Sequence, residues 1–203
     1  MEILVLFHSR YGTVYRLAKE IASGINDVQG VQARVRRSRE VAPIEIIRSN
    51  PRWSAMYDKL EREVPEVSLS DLAETQGIAL GSPTRYGNIE PSLGNFLETV
   101  GELWTKGSLL GKVGGVFCST GTMHGGNETT LITMMLPLMH LGYIIMPLSY
   151  CDPGVSFTER GGTPYGPSCV AGTNDDKGPD DIELALCRIF GRRLAETTKH
   201  LHK

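Results

Sequence analysis

Ile3-Leu4-Val5-Leu6-Phe7 runs directly into His8-Ser9-Arg10-Tyr11-Gly12-Thr13, and apolar residues then recur at Val14, Leu17, Ala18, Ile21, Ala22 and Ile25. The first five residues are continuously apolar, the pattern of a strand covered on both faces. The later six fall on one side of a 3.6-residue period, which is an amphipathic helix. Strand, short polar loop and helix together open a parallel βαβ unit. Downstream, the same alternation repeats. Val31, Ala33 and Val35 alternate with Gln32, Arg34 and Arg36, as a half-exposed edge strand does. The cluster Arg34, Arg36, Arg37 and Arg39 reads as the solvated margin of that strand rather than a phosphate site. Gly77 to Leu80, Lys112 to Cys118 and Tyr143 to Met146 supply three further short strands.

Helical segments fill the intervals. Pro91 to Val100 is helical, and a helix ending near His140 is stopped by Gly142. Asp180-Asp181-Ile182-Glu183 is a capping box opening the last helix, with Ile182, Ala185, Leu186 and Ile189 as its apolar stripe. Residues 41–65 hold Pro43, Pro51 and Pro65 and a short helix from Arg52 to Arg62. An insertion of that length in one compact domain reads as a lid or a subunit contact. About five strands alternating with five helices give a single α/β domain over residues 1–203. Its sheet is doubly wound and parallel, five-stranded in the order 2-1-3-4-5, with helices on both faces and ligands at the carboxyl ends of the strands.

Composition narrows the function. The 203 residues are 40% hydrophobic and 22% charged, with a net charge of -2. That near-balance speaks against a nucleic-acid binder, which carries a basic excess, and against a carrier docking through strong acidity. From Thr129 to Tyr150 there is no Asp, Glu, Lys or Arg, yet Pro137, Gly142 and Pro147 interrupt the run. It reads as a buried helix followed by a buried strand, not a membrane span. Cys118, Cys151, Cys169 and Cys187 form no CxxC pair, so neither a zinc site nor a redox dithiol is expected. The apolar N-terminal run lacks a basic flank and a cleavage site, and with unpaired thiols this points to the cytoplasm.

The loops carry the chemistry. Ser9 to Val14 precedes a helix N-terminus, where free N–H groups and the helix dipole favour a phosphate. Ser9 and Thr13 add hydroxyls, and Gly12 permits close approach. The loop has no lysine, which suits a phosphate monoester better than a triphosphate with magnesium. No GxGxxG follows a strand. Gly107 to Val113 lacks both the spacing and the Ser/Thr of a Walker loop. The loops Gly81 to Asn88 and Ser119 to Glu128 also follow strands, so all three gather at one sheet edge. Together they suit a flat heterocycle such as a flavin, gripped by backbone groups. No His pair at i, i+4 accompanies a Glu, and no metal is expected.

Ser9-Arg10-Tyr11-Gly12, Gly81-Ser82-Pro83-Thr84-Arg85-Tyr86-Gly87-Asn88, Ser119-Thr120-Gly121-Thr122 with His124-Gly125-Gly126, and Gly161-Gly162-Thr163-Pro164-Tyr165-Gly166 make the resemblance specific. The sequence resembles the WrbA family of flavodoxin-like NAD(P)H:quinone oxidoreductases over nearly its whole length, departing at residues 41–65, His8 and Met123. The resemblance implies non-covalent FMN, with its phosphate held by Ser9, Arg10, Tyr11, Gly12, Thr13 and Val14. It places Thr84, Arg85 and Tyr86 along the ring, with the loop Ser119, Thr120, Gly121, Thr122, Met123, His124 and Gly125. Tyr11 would contact the nicotinamide cofactor, Trp104 the quinone, and His140 would reach the flavin pocket. Plain packing for Trp104 and a dipole-favoured helix end for His140 are the ordinary alternatives. A homotetramer, a dimer of dimers with shared active sites, is also implied. The expected reaction is ping-pong: NAD(P)H delivers a hydride to FMN N5 and a quinone then takes two electrons. A one-electron carrier and a flavin-bound regulatory module without turnover are the competing classes.

Overall fold

The computed structural model describes residues 1–202. β1 (Glu2–Phe7) leads through the first loop into α1 (Thr13–Asn26), and β2 (Gln32–Arg37) follows. The 41–65 segment folds as α2 (Ile44–Ser49) and α3 (Pro51–Glu63), and α4 (Leu69–Glu74) precedes β3 (Gly77–Pro83). Then come α5 (Pro91–Glu98), α6 (Gly101–Thr105), β4 (Val113–Thr120) and α7 (Asn127–His140). β5 (Ile144–Ile145), β6 (Ser168–Val170) and α8 (Asp181–Leu201) complete the chain. The strands are parallel in the order β2-β1-β3-β4-β5, the expected doubly wound arrangement.

β1 explains the two-layer cover. Ile3, Val5 and Phe7 point into one core with Leu17, Ile21, Leu194 and Phe190. Leu4 and Leu6 point into the other with Leu93, Leu131, Met134 and Leu138. All five are fully buried, as a two-sided strand requires. Gly81 follows from this packing: a Cβ there would sit 2.1 Å from the Phe117 ring.

Four local expectations need correction. The fifth strand position is split: β5 pairs with the start of β4 (Val113↔Ile144) and β6 with its end (Cys118↔Ser168). The strand expected over Tyr143–Met146 is therefore only two residues long and partly exposed. α7 is not a buried helix; Leu131, Met134 and Leu138 face the core, while Ile132, Leu136 and Met139 are exposed. Lack of charge marked an uncovered apolar face as readily as a buried one. The apolar side of α8 is Leu186, Phe190 and Leu194 with Glu183, while Ile182 and Ala185 face outward. Gly24 and Gly191 let α1 and α8 meet backbone to backbone, which sets that face. Finally, the arginines of β2 are neutralised rather than solvated: Arg34 pairs with Glu2, Asp71 and Glu74, and Arg37 with Glu61 at 2.7 Å.

Gly142 ends α7 with φ +90°, and the Asp180–Glu183 capping box forms. The four cysteines are free; three are buried, and burial pushes the Cys118, Cys169 and Cys187 thiols up. Among the described residues no helix is long and apolar enough to cross a membrane.

Candidate active site

β1, β3, β4 and β6 all end at the same sheet edge, and their following loops enclose a cleft of about 440 Å³. Its walls are Ser9, Arg10, Tyr11, Thr13 and Val14 from the first loop, Thr84 and Arg85 from the second, and Ser119, Thr120 and Gly121 from the third. A fourth wall, residues 171–175, follows β6, and Asn50 and Arg52 lean in from the start of α3. A volume of this size suits one cofactor-sized ligand.

At one end the first loop builds a donor cradle. Gly12 takes φ +100°, which brings the chain into α1 with no side-chain cap. Ser9 Oγ accepts the Gly12 N–H at 3.1 Å and the Tyr15 N–H at 3.3 Å. The Thr13 and Val14 N–H groups have no protein acceptor among the described residues. Free first-turn donors at the positive end of a helix dipole form an anion site. Beside them stands an acid: Thr13 Oγ1 donates to Asp175 Oδ1 at 2.8 Å. Asp175 adopts φ +53°, and burial holds its carboxyl above the usual range. Arg52 fastens this corner by donating to the carbonyls of Asn174 at 2.5 Å and Asp175 at 2.8 Å, with its guanidinium 5.4 Å above the Tyr11 ring.

Toward the other end, Thr84 ties the loops together. Its N–H donates to Ser119 O at 2.8 Å, and its hydroxyl accepts the Gly87 N–H at 3.1 Å and the Thr130 hydroxyl at 2.8 Å. Thr84 Oγ1 also donates to Gly125 O at 3.4 Å. The second and third loops and the start of α7 thus form one unit. Arg85 donates to Thr84 O at 2.7 Å, and burial, then the charge of Arg10, pulls its guanidinium below the ordinary arginine value. Arg10 lies 3.8 Å over the Trp53 ring, and its buried Nε has no hydrogen-bond partner. Three guanidiniums therefore surround the cleft against one carboxylate.

Other expected residues lie elsewhere in the single chain. Tyr86 has φ +55° and a fully exposed side chain. Thr122, Met123 and His124 are exposed at the tip of the third loop, and Gly125 is half-buried behind it. Trp104 and His140 face one another across α6 and α7, ring centroids 5.8 Å apart, both exposed. None of these lines the cleft. The sequence reading missed Asn50, Arg52 and Asp175. Arg52 opens a helix in the least regular stretch of the sequence, and Asp175 follows a strand of only three residues.

The GGTPYG stretch is structural in origin. A Cβ on Gly161 would lie 2.2 Å from Ser168 O, and one on Gly166 2.2 Å from Val116 O. Fully buried Glu183 accepts the N–H groups of Gly161 and Val170 at 2.9 and 3.0 Å. This turn seats β6 and so delivers residues 171–175 to the cleft.

A doubly wound parallel sheet with its cleft at the strand carboxyl ends, beside a helix N-terminus, defines a protein of the flavodoxin-like class. The solved flavodoxin, WrbA-like protein from Agrobacterium tumefaciens superposes with a TM-score of 0.69 over 100% of this chain and 99% of that one, at 20% identity. A flavodoxin from the domain Archaea gives 0.61 over 98% and 100%, at 21% identity. In sequence, the chain is 37% identical over 203 residues to the NAD(P)H dehydrogenase (quinone) of Syntrophobacter fumaroxidans, covering 99% of this chain and 98% of that protein. It is 41% identical over 201 residues to the protein of that name from Acidithiobacillus ferrooxidans, covering 98% of each. No family model matches the chain. At these identities over full length, the chain belongs to the NAD(P)H dehydrogenase (quinone) family and has the flavodoxin-like fold.

Proposed function

We propose that this chain reduces quinones to hydroquinones with NAD(P)H, through non-covalently bound FMN and by a ping-pong sequence. The observation that carries this reading is the pair of unclaimed N–H groups at Thr13 and Val14, opening on a cleft otherwise walled by Thr84, Arg85 and Ser119–Gly121. A phosphate monoester attached to a flat ring fits both ends, and the buried, unpartnered Arg10 Nε adds a donor beside the first loop. The residues present fit FMN.

In this reading Ser9, Gly12, Thr13 and Val14 hold the phosphate, by main-chain N–H groups and hydroxyls aligned with the α1 dipole. Thr84, Arg85 and Ser119–Gly121 meet the ring, and Arg10 and Arg85 set a positive potential along it. Tyr86 and the exposed Thr122, Met123 and His124 form its outer margin. Tyr11 meets the nicotinamide. Bound FMN supplies hydride acceptance and two-electron delivery. Trp104 and His140 lie away from the cleft of their own chain; across a subunit boundary, in a homotetramer built as a dimer of dimers, Trp104 meets the quinone and His140 reaches the flavin pocket. Exposed Ile132, Leu136 and Met139 on α7 support such a contact, and α2 and α3 act as a lid or subunit contact. We place the protein in the cytoplasm.

The test is to strip the flavin, measure NAD(P)H-dependent benzoquinone reduction, and restore FMN. Activity is lost and then recovered. Turnover undiminished in the stripped protein refutes the reading, and a chain sedimenting as a monomer refutes the shared site.

A further inference from the structure

Next to the first loop, three side chains from three separate parts of the chain converge. His8 follows β1, Glu40 lies between β2 and α2, and Glu90 caps α5. One ligand atom from each lies within 4.8 Å of the others. Their side chains are 5%, 9% and 4% exposed. His8 Nε2 stands 3.4 Å from Glu40 Oε2, and His8 Nδ1 is 3.5 Å from Glu90 Oε2. Ser38 Oγ lies 3.1 Å from His8 Nδ1. With the ring proton on Nδ1 and donated to Ser38, Nε2 presents a lone pair to Glu40. That nitrogen is buried and has no hydrogen-bond partner.

The carboxylates are fixed but not neutralised by direct contact. Glu40 Oε1 accepts the Ala42 N–H at 2.9 Å, and Glu90 Oε2 accepts the Ser92 N–H at 2.8 Å. The Ser92 hydroxyl bridges the two at 3.3 and 3.4 Å. Arg10 and Arg85 act on the cluster at longer range, and neither donates to these carboxylates among the described residues. Glu40 faces the unpartnered Nε2 and Glu90 stands on the Nδ1 side of the ring, and two buried carboxylates this close, with no direct guanidinium or ammonium partner among the described residues, call for a cation among the three side chains. A nitrogen and an oxygen 3.4 Å apart subtend close to a tetrahedral angle at an ion about 2.1 Å from each.

We propose that His8, Glu40 and Glu90 bind one divalent transition-metal ion of the manganese-to-zinc series. One imidazole with two carboxylates is a borderline N,O donor set that suits these ions and balances their charge. A cavity of about 20 Å³ beside His8, Ser38 and Glu40 has room for one water as a further ligand. Ser38 is the positioning residue that fixes the ring. The ion joins the end of β1, the β2–α2 connection and the start of α5. Spacing along the sequence gave no sign of it, because the three ligands come from positions 8, 40 and 90.

The test uses the full chain with its flavin, treated with chelator and then titrated with Zn²⁺ or Mn²⁺, with Mg²⁺ for comparison. Calorimetry and metal analysis find one Zn²⁺ or Mn²⁺ per chain, and the ion raises Tm. Glu40→Gln and Glu90→Gln weaken binding more than about 100-fold, beyond the 10- to 100-fold typical of outer-shell changes, and Ser38→Ala falls within that range. A His200→Ala, His202→Ala double variant binds as the parent does. No stoichiometric uptake of either ion by the parent overturns the proposal. So does uptake that Ser38→Ala and Glu90→Gln leave unchanged in chains folded by circular dichroism.

Discussion

Replacing Glu183 by Ala tests how the cleft is held. The side chain is fully buried at the first turn of α8. Its Oε1 accepts from Gly161 and Val170, and its Oε2 accepts the Asp180 N–H at 2.9 Å. Alanine leaves three N–H groups unpaired, that of Gly161 buried and those of Val170 and Asp180 part-buried. Each such donor costs about 1–3 kcal/mol, and water entering the vacated space limits the total, so the expected loss is about 3–5 kcal/mol. For a domain of this size that lowers Tm on the order of 10 °C. Glu183→Gln keeps an oxygen for Gly161 and Val170 but sets an amide N–H₂ against Asp180, and should lose about 1–3 kcal/mol. Guanidinium unfolding, with the m-value checked for two-state behaviour, measures both. A parallel FMN titration should weaken with Ala, since residues 171–175 follow directly from the strand Glu183 secures. An alanine variant within 1 kcal/mol of the parent, or one no worse than Gln, would refute the reasoning.

Asp175→Asn removes a carboxylate from beside the phosphate cradle, so FMN should bind more tightly than to the parent; weaker binding would show the acid helps. Because burial raises the Asp175 pKa, the folded state holds its proton to higher pH than the unfolded one. Its contribution to stability therefore falls as pH rises from the unfolded value through the raised folded one, and the Asn variant lacks that fall. Lys112 donates to the Leu72 and Ala73 carbonyls at 2.6 and 2.8 Å, and burial lowers its pKa. Lys112→Met should lose about 1–3 kcal/mol at neutral pH. The gap between parent and variant should widen with pH between the lowered folded value and the unfolded one, where only the unfolded lysine keeps its proton. Gly24→Ala should cost about 1–3 kcal/mol or more, because its Cβ would meet the Arg188 carbonyl at 2.1 Å. Gly94→Ala, with open space around it in α5, should gain up to about 1 kcal/mol by unfolding titration.

The sheet was legible wherever a strand was long and apolar on both sides. β1, β3 and β4 each carry an unbroken apolar run, and α1 presents one stripe on one period. β6 escaped because a three-residue strand is too short to show a period, and β5 is shorter than the apolar run Tyr143–Met146 suggests; pairing with the long β4 is what makes both of them strands. On α8 the sequence offers Ile182 and Ala185 as apolar positions, yet the helix turns Glu183 inward because three N–H donors wait there. Hydrophobicity alone cannot anticipate a buried acid satisfied by distant backbone. In the cleft, the three loops after β1, β3 and β4 follow from the strand order. Arg52 and Asp175 do not, since each reaches the cleft from a segment whose course depends on tertiary contacts.

These two kinds of legibility separate two parts of the molecule. The cradle itself is local: Ser9, Gly12 and the free donors of α1 lie within a few residues of each other, and β1 with its neighbours fixes their place. Its electrostatics are not local. Arg52 arrives on α3, held by the Asn174 and Asp175 carbonyls, and Arg10 is oriented by Trp53 of that same helix. Asp175 in turn depends on β6, which depends on Glu183 and the close backbone approach at Gly161. The positive charge around the cleft and the one acid opposing it are thus set by the two segments that depart most from the simple alternation of strand and helix. On the proposed reading, residues 41–65 and 146–179 would set ligand preference and the first loop would hold the phosphate.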